Sequence, residues 1–438
     1  MEKNEFTKLQ NYCDYNNSQI ILENGNNGQL SSFFPNKQLR EFDLSPKTKE
    51  KNLTKVKRLK NNLNTKNIIK ANDINEELNE RINKLIINFK NQLDKNYIEK
   101  RIINLKCSKN GDYSYINALV ICLSNLPDLL IYLKQNIQLL NNPQKFPLTF
   151  CFFRVVEHLY LNIPKNRSNI YDSLTIIKVI EHCFPFLKES KNPIDLFSLL
   201  ISNIHKELNE NKTIVIPKNT EKMDLNEVIK HKIIYFNNTN ESIISKIFNS
   251  FYKKEIKCSI CNNTFYELEN FFSFDLDPIN TFIKYNKNIL TIYDCLTYYI
   301  QPKTSKLICS VCNRPSNLVT LKNIFSPSKN LVFVINRYNY NEDNLITKIK
   351  LNYEEILDIS QFIDKKLVDI KTEYILIAVV SYSFNKKNFL AFCKNLFIDE
   401  WVYFNDNSID QCNFNYILNN TIPCLLFDRM LDEIKKDM

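Results

Sequence analysis

Apolar residues recur at helical spacing between residues 73 and 103, where Leu78, Ile82, Leu85, Ile86, Phe89 and Leu93 alternate with charges. That period predicts an amphipathic helix over about 71–103 leading into the body of the chain. A second helical run covers residues 115–133, with Leu119, Cys122 and Leu123 on one face, and Leu126 and Pro127 end or kink it. The same spacing predicts helices at 152–161, 173–184 and 193–208. After about residue 244 the texture changes. Residues 271–276, 331–335, 374–382, 389–394 and 401–404 are short runs of aromatic and branched residues, which read as strands. A helical first half and a strand-rich second half predict an α+β class. Residues 1–70 show no sustained period, only Asn, Ser and Lys clusters, and read as a disordered segment. There is no internal repeat.

Composition adds little to the fold. The 438 residues suffice for one large or two medium domains, and 44% hydrophobic residues is ordinary for a globular chain. Charge is more informative. Part of the net +10 is local: residues 46–66 hold Lys47, Lys49, Lys51, Lys55, Lys57, Arg58, Lys60 and Lys66 against Glu50 alone. Such a run reads as an RNA contact, a nuclear import signal or a solvated tail. The first ten residues are charged and polar, unlike a secretory signal. No run approaches the roughly 18 to 20 apolar residues that span a bilayer, so no membrane partner is expected.

Two of the thirteen cysteines' spacings carry chemistry. Cys258-Ser259-Ile260-Cys261 and Cys309-Ser310-Val311-Cys312 are paired C-x-x-C knuckles separated by residues 262–308. Four thiolates brought together this way make a closed, structural Zn²⁺ site with no open position for catalysis. Four unrelated buried cysteines are the plain alternative. Zinc spacing and an odd cysteine count point to a reducing intracellular compartment, nucleus or cytoplasm.

Three blocks, in order, resemble the ubiquitin-specific protease family. The first is Gly111-Asp112-Tyr113-Ser114-Tyr115-Ile116-Asn117-Ala118, similar to the family's nucleophile box. The second is the paired C-x-x-C, followed by Leu331-Val332-Phe333-Val334-Ile335-Asn336-Arg337-Tyr338. The third joins Tyr374-Ile375-Leu376-Ile377-Ala378-Val379-Val380, Asn388-Phe389-Leu390-Ala391-Phe392 and Trp401-Val402-Tyr403-Phe404-Asn405-Asp406. The resemblance implies a papain-like fold of thumb, palm and zinc-bearing fingers over residues 104–430, with the fingers at about 245–325.

The departures from the family pattern bear on function. The resemblance implies a Cys nucleophile, a His base and an Asp or Asn orienter. Here Ser114 falls on the nucleophile, Asn388 on the base and Asn405 on the orienter. The family's oxyanion Asn falls at Lys109, beside Asn110, and the acid that grips the ubiquitin tail falls at Asn192. His158, His182, His205 and His231 are the only histidines, and none lies in the last two hundred residues. Cys107 is the one candidate replacement nucleophile, while His205 falls where the family carries a structural His.

The expectation is therefore a catalytically inactive scaffold or binding protein. Its partners would be proteins, ubiquitin among them, in an RNA-processing assembly. Two groups of inactive family members suggest pre-mRNA splicing or mRNA deadenylation. They are the spliceosomal tri-snRNP-associated protein and the protease-like domain of the Pan deadenylase. A divergent deubiquitinase and a non-cleaving ubiquitin-binding protein are the alternatives.

Overall fold

The computed structural model describes residues 104–106, 112–136, 143–160, 170–209, 225–287, 289–309, 311–337, 349–364, 370–396, 399–405 and 408–431, with Glu80 and Ile87. The expected segment 1–70 lies outside the described residues. Of the expected helix at 71–103, only Glu80 and Ile87 are described, and both are helical.

The helical first half contains α1 (Ser114–Ser124), α2 (Pro127–Gln135), α3 (Pro147–Tyr160), α4 (Leu174–Cys183) and α5 (Pro193–Leu208). It continues with α6 (Leu225–Thr239) and α7 (Ile243–Phe248). All eleven residues of α1 are buried, so it forms the centre of the core rather than an amphipathic surface helix, and its polar Ser114, Asn117 and Ser124 are each hydrogen-bonded. The single helix expected over 115–133 is two helices bent by 75°. Pro127 stands at the first turn of α2, where its missing N–H leaves no hydrogen bond unmade. Among the described residues, no single helix is long and apolar enough to cross a membrane.

Strands dominate the second half. After the short parallel pair β1 (Asn104–Lys106) and β2 (Ile170–Asp172) come β3 (Ser250–Cys258), β4 (Thr264–Phe271), β5 (Phe274–Leu276) and β6 (Ile289–Thr291). Then follow β7 (Lys303–Ile308), β8 (Pro315–Ser326), β9 (Asn330–Ile335), β10 (Lys350–Asn352) and β11 (Ile356–Asp358). The last are β12 (Glu373–Ser383), β13 (Asn388–Asn395), β14 (Glu400–Asn405), β15 (Ser408–Cys412) and β16 (Ile422–Met430). The main sheet runs β15-β14-β13-β12-β16-β9-β5, with β11 on β12. A second sheet, β4-β3-β8-β7, carries the cysteine knuckles.

The main sheet separates two cores. Ile375, Ile377, Ala378 and Val380 of β12 face the helices, whereas Tyr374, Leu376 and Val379 face the opposite cluster. Strict alternation fails at Ile377 because the β12–β16 register slips between Leu376 and Ala378. A bulge of this kind leaves one residue out of the ladder. Its carbonyl is satisfied from outside: Asn125, just past α1, donates its Nδ2 to Ile377 O at 2.6 Å and to Lys394 O at 3.3 Å. A buried Asn thus locks α1 to β12 and to β13, the strand that begins with Asn388.

Candidate functional site

Helix α1 begins at Ser114, and β13 begins at Asn388. Contact between α1 and β13 brings these two ends together. Ser114 Oγ accepts from the backbone N–H of Phe389 at 3.1 Å and donates to Asp112 Oδ1 at 2.7 Å. The same carboxylate accepts from the Ser114 N–H at 3.3 Å, so Asp112 serves one of the orphan donors at the helix start. Ser114 is 2% exposed.

Asn388 donates its Nδ2 to Asn405 Oδ1 at 3.2 Å. Its own Oδ1 is buried without a partner. Asn405 is held in turn by Asn104, whose Nδ2 donates to the Asn405 carbonyl and, at 3.2 Å, to that of Ser408. The structure therefore gathers Ser114, Asn388 and Asn405 at the junction of helix and sheet. Lys109, Asn110, Gly111, Cys107 and Asp406 lie outside the described residues.

Neither side-chain partner of Ser114 nor that of Asn388 is an imidazole. His205 packs elsewhere: its Nδ1 lies 2.7 Å from Ser242 Oγ, and its ring meets Phe272 edge-on. Burial, followed by the charge of Lys206, holds its pKa below the usual value, which favours the neutral ring. His158 bonds to the Arg154 carbonyl through Nδ1 at 2.7 Å. Asn192 caps α5, accepting from Ile194 N–H at 3.0 Å. Its side-chain oxygen is thereby committed to the helix.

The sequence assigned no role at the site to Asp112, Phe389 N–H or Asn104. An Asp two residues before a helix-starting Ser is a readable capping signal. A backbone N–H from a strand far along the chain is not.

The second cluster lies in the sheet β4-β3-β8-β7. The sulfurs of Cys258, Cys261, Cys309 and Cys312 all lie within 4.8 Å of one another. Cys258 and Cys312 are 4.0 Å apart, and Cys261 and Cys309 are 3.8 Å apart. The two knuckles repeat one geometry. Ile260 N–H points to Cys258 Sγ and Val311 N–H to Cys309 Sγ, each at 3.4 Å. The next residues, Asn262 and Asn313, take left-handed φ values of 55° and 53°. Asn tolerates that region better than most residues, and it fills a role often given to Gly. The Cys261 backbone N–H and the Ser316 hydroxyl draw the Cys258 thiol down, whereas at Cys312 the Arg314 backbone N–H is outweighed by burial and the neighbouring sulfurs, which push that thiol up. Donors aimed at sulfur favour thiolates, so these four residues could hold a metal ion. None of the eleven described cysteines is in a disulfide.

Comparison with known proteins bears on both clusters. The family model described as ubiquitin carboxyl-terminal hydrolase matches residues 105–427. Among solved structures, the chain is similar to the SAGA Ubp8/Sgf11/Sus1/Sgf73 DUB module bound to ubiquitin aldehyde. The TM-score is 0.57 at 16% identity, covering 78% of this chain and 72% of that one. A Ubp8 variant in the same module bound to monoubiquitin gives 0.56 at 17% identity, covering 78% and 71%. The yeast SAGA DUB module with an Sgf73 mutant gives 0.54 at 17% identity, again covering 78% and 71%. Identities this low speak for the fold: mixed helices and sheets of the ubiquitin-specific protease type, with a four-cysteine cluster in the finger position. The match over residues 105–427 covers well over half the sequence, and the chain belongs to the ubiquitin carboxyl-terminal hydrolase family.

Proposed function

We propose that this chain is a non-catalytic member of its family, acting as a scaffold or binding protein toward protein partners, ubiquitin among them. One observation carries the reading. At the positions assigned by resemblance to nucleophile, base and orienter stand a hydroxyl and two amides, Ser114, Asn388 and Asn405. An amide cannot accept the proton that a hydroxyl must lose before attack. The Asp112 contact suggests a different base, but a lone carboxylate is a very weak acceptor for a serine proton. A Ser114 lone pair is also engaged by Phe389 N–H.

The four cysteines are proposed to hold one structural Zn²⁺. A tetrahedron with Zn–S of about 2.3 Å requires sulfurs about 3.8 Å apart, close to the 3.8 Å and 4.0 Å of two of the pairs, and all four sulfurs lie within 4.8 Å of one another. The ion would tie the β3–β4 turn to the β7–β8 turn. The solved Ubp8 assemblies, with Sgf11, Sus1, Sgf73 and bound ubiquitin, support looking for protein partners. The lysine run at 46–66 supports an RNA-processing setting, in pre-mRNA splicing or mRNA deadenylation, inside the nucleus or cytoplasm.

The test is a titration of the full chain with ubiquitin carrying a C-terminal reporter. Saturable association with the reporter intact is expected. Release of the reporter would return the chain to the divergent deubiquitinases.

A further inference from the structure

Where α7 passes into β3, a cleft of about 330 Å³ opens. It shares no residue with the Ser114 site or the cysteine cluster. Its walls come from the end of α6, from α7 and Asn249, and from residues 326–329, which join β8 to β9. That turn is fixed before any ligand arrives. Ser328 N–H donates to Ser250 Oγ at 2.9 Å, Ser328 Oγ donates to Asn330 O at 2.7 Å, and Tyr374 Oη donates to Ser328 O at 2.9 Å.

Asn249 is the informative lining residue. It is 8% exposed, and its Oδ1 accepts from Asn270 Nδ2 at 3.3 Å. Its own Nδ2 is buried and has no hydrogen-bond partner. Buried amide donors are rarely left unmatched, because each unmatched one is unfavourable. The surrounding charge has one sign left over. Lys246 is matched by Glu241 at 2.7 Å, whereas no carboxylate pairs with Lys329 among the described residues. Phe251 and Pro327 add an apolar floor. One unmatched neutral donor beside one unmatched cation suits a carboxylate group, whose two oxygens can take both, on a short apolar stem. Inorganic phosphate has no apolar stem to set against Phe251 and Pro327.

The geometry points to a carboxylate-binding site formed by Asn249 and Lys329 at the root of the fingers. The carboxylate belongs either to an acidic side chain on an extended partner segment or to a small free dicarboxylate.

Calorimetric titration of the full chain at low salt, with a blocked tetraglutamate peptide, glutarate and inorganic phosphate, separates these sources. Saturable binding of a carboxylate probe is expected, with phosphate weaker. Peptide tighter than glutarate identifies a partner's acidic segment, and equal affinities identify a free carboxylate. Asn249→Asp keeps size but replaces the donor by a repelling charge, and Lys329→Glu reverses the exposed charge. Each is expected to weaken binding about tenfold or more, the equivalent of ~1.4 kcal/mol. Lys329→Glu decides the matter alone if Asn249→Asp fails to fold. No saturable binding at millimolar probe, or unchanged affinity in the folded variants, overturns the site.

Discussion

The hydroxyl of Ser114 accepts the backbone N–H of Phe389 at 3.1 Å, a contact between residues 275 apart in sequence. It ties the start of α1 to the start of β13, and the donated bond to Asp112 completes the clamp. The side chain thus has structural work at the position where the family places a nucleophile. Ser114→Ala removes both bonds. The expected destabilisation is about 1–3 kcal/mol, from two hydrogen bonds of about 0.5–1.5 kcal/mol each. Urea unfolding reads it directly, and an unchanged midpoint would show that the clamp contributes nothing.

The cysteine cluster predicts metal content. Protein purified without chelator should carry about one Zn²⁺ per chain, released by a strong chelator with loss of stability. Cys309→Ser removes a ligand from a buried corner of the cluster. It should lower both zinc content and melting temperature. Absence of zinc by elemental analysis would remove this part of the account.

Asp428 predicts a stabilising substitution. It is 2% exposed, between Leu331 and Leu376 on the neighbouring strands. Burial alone raises its pKa well above the usual carboxylate value. The unfolded chain releases this proton above about pH 4, while the folded chain retains it, so folding loses stability as pH rises from there toward the raised folded value. Asp428→Asn keeps the shape and removes the titration. Its melting temperature should exceed the parent's at neutral pH, with the gain shrinking toward pH 4. A gain that does not change with pH would contradict the assignment.

His205 works in the opposite direction. Its folded pKa lies below the reference value of 6.5. Below about 6.5 the unfolded chain binds a proton that the folded chain refuses, so stability falls as pH drops through that value toward the lower folded one. His205→Asn offers an amide near the position of Nδ1, toward Ser242 Oγ. The parent should lose more stability than this variant between about pH 7.5 and pH 5.5. Equal losses would mean that His205 does not contribute to the acid limb.

Much of the scaffold was legible where local signals agreed. α5 begins and ends where the periodicity placed it, because Asn192 caps it and Pro193 fixes its first turn. β9, β12, β13 and β14 were found from their branched and aromatic runs. The expected strand at 271–276 spans a break between β4 and β5. β7 is exposed along its whole length and carries no apolar alternation, so nothing announced it. The helix α8 (Ile292–Ile300) was hidden in a region that read as strand, although its Thr291–Asp294 capping box was present in the sequence. The knuckles were read from their spacing, but the left-handed Asn262 and Asn313 were not. In the candidate site, Ser114, Asn388 and Asn405 came from motif order. Asp112 was open to a local reading as a capping residue, whereas Phe389 N–H and Asn104 reach the site through tertiary contacts that no local pattern encodes.

The most direct test of the account is hydrolysis of a fluorogenic ubiquitin substrate, alongside labelling by a ubiquitin active-site probe. The account predicts no turnover and no adduct for the unmodified chain. Ser114→Cys alone should also stay essentially inactive, because Asn388 still cannot accept a proton and triad losses do not simply add. A trace of activity is expected only with Ser114→Cys and Asn388→His together. Clear turnover by the unmodified chain, abolished by Cys107→Ala, would contradict the account and make Cys107 the nucleophile.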